Sequence, residues 1–207
     1  IIMKVDSDDI IKNDRFIKQI QFMETHPDCV LCGSNLTMFK KQDNNMLNYG
    51  DTNHKEILTW EEYKKNPSHW FTSHPTLCYK KSAVLNVGNY NKEKKFDWYA
   101  CDDFELQVKI LKNFGKIYNI KESLLYYRLH NEQITTCNKF KRPEVVEFRN
   151  NFIKEMIENE DVQSTKVYSK EQTINNTMPK IENNSFKNPL SEIFTNNKSV
   201  KFKLVYQ

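Results

Sequence analysis

The sequence predicts an α/β fold, a mixed sheet flanked by helices over residues 1–159, followed by a flexible polar tail over residues 160–207. Strand, acidic turn, helix and strand follow one another at the start, where the apolar run Ile1-Ile2-Met3-Lys4-Val5 breaks into Asp6-Ser7-Asp8-Asp9. Helical apolar spacing then recurs around residues 16–23, 106–114 and 148–156, with short strand-like runs between. From Glu160 the chain turns to Asn, Ser, Thr and Lys with scattered apolar residues, too few to offset the entropy of ordering.

Taken in order, Asn13 can cap a helix whose apolar positions are Phe16, Ile17, Ile20 and Met23, and His26-Pro27-Asp28 stops it. Residues 29–32 form a buried strand leading to Gly33, residues 36–39 a second strand, and the polar stretch 40–53 a surface loop. Thr59-Trp60-Glu61-Glu62 has capping-box spacing and starts a short helix that Pro67 closes. Residues 77–79 resume a strand, residues 82–85 make a helical turn, and Gly88-Asn89-Tyr90 bends the chain. Asp102-Asp103-Phe104-Glu105 opens a helix with Leu106, Ile110, Leu111 and Phe114 on one side and Gly115 as its stop. Residues 116–120 and 124–128 are two strands about a Lys121-Glu122-Ser123 turn, and residues 143–159 a last helix with Phe148, Phe152 and Met156 in line. In the tail, residues 200–206 alternate as a terminal strand would.

A chain of 207 residues can bury one good core. Its formal net charge of +4 demands no nucleic-acid partner. Five cysteines form no framework of pairs, so a reducing, cytoplasmic setting is expected. Cys29-x-x-Cys32 has the spacing of a zinc half-site, but no second close pair exists and the run is apolar, where thiols act as small hydrophobes. The sequence carries no transmembrane segment and no signal-peptide pattern.

The chemistry concentrates in the acidic clusters. On a continuing strand Asp6 and Asp8 share a face, and two carboxylates so placed need a cation or many donors to stay ionised. Mg²⁺ or Mn²⁺ takes such oxygens and completes its shell with substrate phosphates, which makes Asp6-Ser7-Asp8 a metal-diphosphate motif. The same residues also suit a turn or a helix cap. Asp102 and Asp103 sit in a helix first turn, where the dipole favours carboxylates whatever their task. Alternation puts Arg128 and His130 on one face, fit for phosphate or metal. The aromatic, histidine-bearing stretch 68–76 suits sugar stacking and a core equally.

Three blocks stand in one order: Val5-Asp6-Ser7-Asp8-Asp9, Asp102-Asp103-Phe104-Glu105-Leu106 and Tyr127-Arg128-Leu129-His130. Together they resemble the family 2 glycosyltransferases of the GT-A fold, a Rossmann-like domain. Asp14-Arg15-Phe16, His74-Pro75-Thr76, Tyr79-Lys80-Lys81-Ser82 and Val87-Gly88-Asn89-Tyr90 agree with it, and the resemblance spans residues 1–136.

The resemblance implies transfer of a sugar from a nucleotide-sugar donor to a glycan, lipid or protein acceptor, inverting and dependent on Mn²⁺ or Mg²⁺. It implies that Asp8, helped by Asp6, holds the metal against the donor diphosphate, and that Asp103 is the general base. His130 matches the position that closes over metal or diphosphate, with Arg128 nearby. Trp98, His74 and Asp102 would line the acceptor pocket. Asp102 departs from the commoner Glu of that motif; the adjacent charge raises one pKa while the helix terminus lowers it.

In that family a nucleotide-binding half precedes the metal motif by roughly a hundred residues. Here the sequence opens directly on the motif, so residues 1–159 are expected to be the metal- and acceptor-side portion, with Ile1 to Val5 a strand lacking neighbours. The rival expectations are a catalytically silent, truncated remnant that binds a partner or glycan, and a metal-dependent phosphohydrolase.

Overall fold

The computed structural model describes residues 1–43, 45–91, 93, 96, 101–131, 133 and 142–159. The proposed tail, its terminal strand, Trp98 and Cys137 lie outside the described residues.

The expected α/β architecture is present as a seven-stranded mixed sheet with helices on both faces. Its strands are β1 (Ile2–Met3), β2 (Ile10–Ile11), β3 (Leu31–Gln42), β4 (Asn45–Asp51), β5 (Ile57–Thr59), β6 (Cys78–Tyr79) and β7 (Lys116–Arg128). The main order is β1-β6-β3-β7-β2, with β4 on β3 and β5 on β7. The helices are α1 (Arg15–Thr25), α2 (Trp60–Lys65), α3 (Lys81–Asn86), α4 (Asp102–Phe114) and α5 (Pro143–Glu158). Strand alternation sorts the core. Leu31, Tyr79 and Ile117 face a large cluster holding Leu106, Ile110 and Leu111 of α4 and Ile153 of α5. Their neighbours Cys32, Cys78 and Tyr118 face the opposite cluster with Met23 of α1 and Cys29, which precedes β3. Cys29 and Cys32 are thus free, buried core thiols.

Several elements differ from expectation, each for a local reason. Residues 29–39 do not hold two strands, because β3 runs unbroken from Leu31 into the stretch expected as a surface loop, where β4 folds back on it as a hairpin. β7 likewise runs through Lys121-Glu122-Ser123: Ile120 pairs with Ser34 and Ser123 with Asn35, so the polar residues bulge out of a parallel ladder instead of turning a hairpin. α1 begins after Asp14, without a side-chain cap. Its buried face is Arg15, Gln19 and Met23, while Phe16 and Ile20 are only half-buried. The capping box at Thr59 and Glu62 forms as the spacing requires, and α2 ends at Lys65 with Asn66 as its C-cap, before Pro67. β1 stops at Met3, so residues 4–9 are loop and turn and the shared strand face expected for Asp6 and Asp8 does not arise.

Candidate functional site

β1 and β3 both pair antiparallel with β6, and β3 pairs parallel with β7, so β1, β3 and β7 run the same way. In open α/β sheets ligands bind outside the carboxyl ends of such strands. The acidic turn follows β1 there, and Leu129 and His130 follow β7.

The turn is closed by the Asp9 N–H, which donates to the Asp6 carbonyl at 3.3 Å, and anchored by the Lys4 N–H to Leu77 O at 2.8 Å. The carboxylates take different partners. The Lys4 ammonium, itself buried, donates to Asp6 Oδ1 at 2.6 Å. Asp8 Oδ2 stands 2.9 Å from His130 Nε2. Arg128 grips the same turn twice, its Nε donating to the Asp8 carbonyl at 2.7 Å and its backbone N–H to Asp9 Oδ1 at 3.0 Å. Asp8, Arg128 and His130, expected from separate motifs, are therefore in contact.

Asp9 was not among the expected site residues, and only its place in the acidic run pointed to it. Its other oxygen, Oδ2, is buried with no hydrogen-bond partner. Burial pushes the carboxyl up to about 7; the Arg128 N–H opposes this, and the charges of Asp8 and Asp6 add to it.

Behind the turn, Arg15 is fully buried and donates from Nη2 to the Lys4 carbonyl at 2.7 Å and from Nε to Gln19 Oε1 at 2.9 Å. Gln19 in turn donates to Thr76 O at 2.7 Å. Helix α1 thereby ties the acidic turn to a 3₁₀ turn over His74–Thr76. Asp14-Arg15-Phe16 and His74-Pro75-Thr76 agreed with the family resemblance, but nothing in the sequence showed that they are joined.

His74 Nε2 stands 3.2 Å from the Tyr90 hydroxyl, which stands 3.4 Å from that of Tyr79. Burial lowers the His74 pKa; Asp103 raises it, Lys4 lowers it, and Asp6 and Asp102 raise it. His74 is therefore within electrostatic reach of carboxylates of both acidic turns. Asp102 and Asp103 open α4, entered through Cys101 in a left-handed conformation at φ 56° and ψ 13°. Asp103 Oδ1 accepts the Phe104 N–H at 2.8 Å. Asp102 is raised by burial first and by Asp103 second, against His74 and the backbone N–H groups of Asp103 and Asp102, which lower it.

Among the described residues no group of three or more His, Cys, Asp or Glu converges on one point as a full protein cage for a metal. A hard ion that takes one or two carboxylates and fills its shell from a diphosphate needs no such cage. The buried, unpartnered Asp9 oxygen beside Asp6 and Asp8 fits a donor set made for a cation.

The chain is 30% identical over 136 residues to an "uncharacterized glycosyltransferase" of Haemophilus influenzae, covering 65% of this chain and 46% of that protein. The chain is similar to glycosyltransferases. The amylovoran biosynthesis glycosyltransferase AmsE of Erwinia amylovora is 25% identical over 134 residues, 65% of this chain and 47% of its own length. The UDP-Gal:alpha-D-GlcNAc-diphosphoundecaprenol beta-1,3-galactosyltransferase of Escherichia coli is 29% identical over 139 residues, 64% of this chain and 45% of its own length. The chain spans about half the length of the curated relatives it matches. No family model matches it. Among the described residues no helix is long and apolar enough to cross a membrane.

Proposed function

We propose that this chain is the metal- and acceptor-side portion of an inverting, divalent-metal-dependent family 2 glycosyltransferase of the GT-A fold. The strongest support is the contact between the first and third blocks, where Asp8 Oδ2 meets His130 Nε2 and the Asp8 carbonyl accepts from Arg128 Nε. His74, within electrostatic reach of Asp6, Asp102 and Asp103, adds to it.

Asp8 and Asp6 would hold Mn²⁺ or Mg²⁺, with Asp9 beside them. When bound, that ion neutralises charge developing on the departing diphosphate. Arg128 and His130, already bonded to the Asp8 segment, adjoin the same phosphates. Asp103 takes the proton of the acceptor hydroxyl as its oxygen attacks the anomeric carbon from the face opposite the leaving group, which inverts that centre. His74, kept neutral by burial, and Asp102 hold the acceptor by hydrogen bonds. We take the acceptor to be a sugar carried on a lipid diphosphate, the class that the name of the Escherichia coli relative specifies.

The test is sugar transfer with Mn²⁺ by the polypeptide that carries this chain, compared with its Asp103→Asn variant. General-base catalysis contributes roughly 10²–10⁴-fold, so kcat should fall by that order with the donor KM little changed. Unchanged turnover in Asp103→Asn would refute the assignment, and retention of the donor's anomeric configuration in the product would refute inversion.

A further inference from the structure

His74 opens the 3₁₀ turn and is half-buried. Among the described residues its imidazole makes one hydrogen bond, from Nε2 to the Tyr90 hydroxyl at 3.2 Å, while Nδ1 makes none. Tyr90 is itself held from both sides. Before it, the Asn89 N–H donates to Val84 O at 2.8 Å from a left-handed backbone at φ 67°, and the Gly88 N–H donates to Leu85 O at 3.2 Å. After it, Asn91 Nδ2 donates at 3.1 Å to Oε2 of Glu105, a buried carboxylate of α4. The helix that carries Asp103 thus fixes the segment that reaches His74.

The hydroxyls also set a direction. Tyr79 is buried, and its hydroxyl has one partner among the described residues, the Tyr90 oxygen at 3.4 Å. Were Nε2 the donor to Tyr90, the Tyr90 hydrogen would turn to Tyr79 and the Tyr79 hydrogen would have no acceptor, which is costly at a buried site. Running the other way, Tyr79 donates to Tyr90 and Tyr90 donates to Nε2, and both hydroxyl hydrogens are satisfied. Burial pushes both phenols up, so each keeps the hydrogen it gives. Nε2 is then the bare nitrogen and Nδ1 carries the hydrogen, since the bond made by one ring nitrogen decides the state of the other.

We propose that Tyr90, with Tyr79 behind it, is a positioning residue of the candidate site: by donating to Nε2 it locks His74 as an Nδ1–H donor for an oxygen of the acceptor sugar. A histidine free to change tautomer offers a lone pair as readily as a hydrogen, whereas the locked form takes only a group with a lone pair to give. The link to the acceptor rests on the transferase reading above, in which Asp103 accepts the hydrogen of the attacking hydroxyl, so that neighbouring acceptor oxygens need a donor from elsewhere. In water a neutral histidine favours the other tautomer, with its hydrogen on Nε2, which makes the lock visible.

The experiment is nitrogen NMR of the full chain, labelled with the heavy isotope, at about pH 8, where a histidine lowered by burial is neutral. The His74 signals are identified by their loss in His74→Gln. Nδ1 is expected at the position of a protonated ring nitrogen and Nε2 at that of a bare one. In Tyr90→Phe, which keeps the ring and loses the donor, both should move toward the mixture of a free histidine; in Tyr79→Phe, where Tyr90 still donates, they should stay. Transfer assays of the polypeptide that carries this chain give the second arm: Tyr90→Phe should raise the acceptor KM about three- to tenfold, the worth of one neutral hydrogen bond, with kcat little changed. A parent His74 with its hydrogen on Nε2, or a tautomer that Tyr90→Phe does not move, overturns the lock. An unchanged acceptor KM in a Tyr90→Phe variant whose tautomer has moved overturns the link to the acceptor. The NMR arm uses neither donor nor acceptor, so failure of the transferase assignment, read from Asp103→Asn, is distinguished from failure of the lock.

Discussion

Gly33 stands where β3 comes closest to the side chains of Thr72 and Asn119. A Cβ built there would lie 2.0 Å from Thr72 Oγ1, 2.7 Å from Asn119 Oδ1 and 3.3 Å from Thr76 Oγ1. None of the three can swing into solvent, since all are buried, and the Asn119 amide is held by donating to Lys55 O and Phe71 O. Gly33→Ala is therefore expected to destabilise the fold by about 1–3 kcal/mol through overpacking, read from the urea midpoint. An Ala variant as stable as the parent would mean that this polar layer repacks freely. Nothing in the local sequence marked Gly33 as more than a loop-leading glycine, because its neighbours in space lie about forty and eighty positions away. The chemistry-bearing residues were easier to read. Asp8, Arg128 and His130 were named from residue type and spacing, and they meet. Asp9 and Arg15 were quoted only as members of their motifs, without a role, because their importance comes from burial, which one-dimensional order does not show.

Helix α1 illustrates how an element can carry the right period and the wrong face. Its apolar positions implied a core of Phe16, Ile20 and Met23, yet Arg15 and Gln19 lie deepest, since their polar ends find the carbonyls of Lys4 and Thr76. Tertiary hydrogen bonding outranked hydropathy here. The same kind of long-range pairing turned an expected loop into the β3–β4 hairpin and an expected turn into the middle of β7, whereas α2, α4 and their caps, which depend on neighbours within a turn, were legible. Arg15→Lys tests the tether. Lysine keeps the charge but cannot donate from two nitrogens to both Lys4 O and Gln19 Oε1. Losing charge-assisted bonds at a buried site should cost about 2–3 kcal/mol, seen as a lower urea midpoint at unchanged slope. An unchanged midpoint would show that the acidic turn holds its shape without α1.

For the whole molecule, buried titratable groups pull stability in opposite directions with pH. Asp9, pushed up to about 7 from its usual 3.8, binds its proton more tightly when folded, so its contribution is present at acid pH and is lost as pH rises toward 7. His54 and His74 act the other way. Burial lowers both from their usual 6.5, and His54 Nε2 is engaged with Ser73 Oγ at 2.8 Å. Above 6.5 neither imidazole is charged in either state and nothing depends on pH. Below it the unfolded chain takes up protons that the folded chain refuses, so stability falls until the folded-state pKa is passed. Comparing parent and variant cancels the Asp9 contribution. His54→Gln should be less stable than the parent at about pH 7.5 and should lose less further stability on going to about pH 5. Urea unfolding at the two pH values measures both differences. Parallel losses in parent and variant would mean that His54 titrates alike in both states, and that the polar layer joining residues 34–35, 52–54 and 72–76 admits a charge.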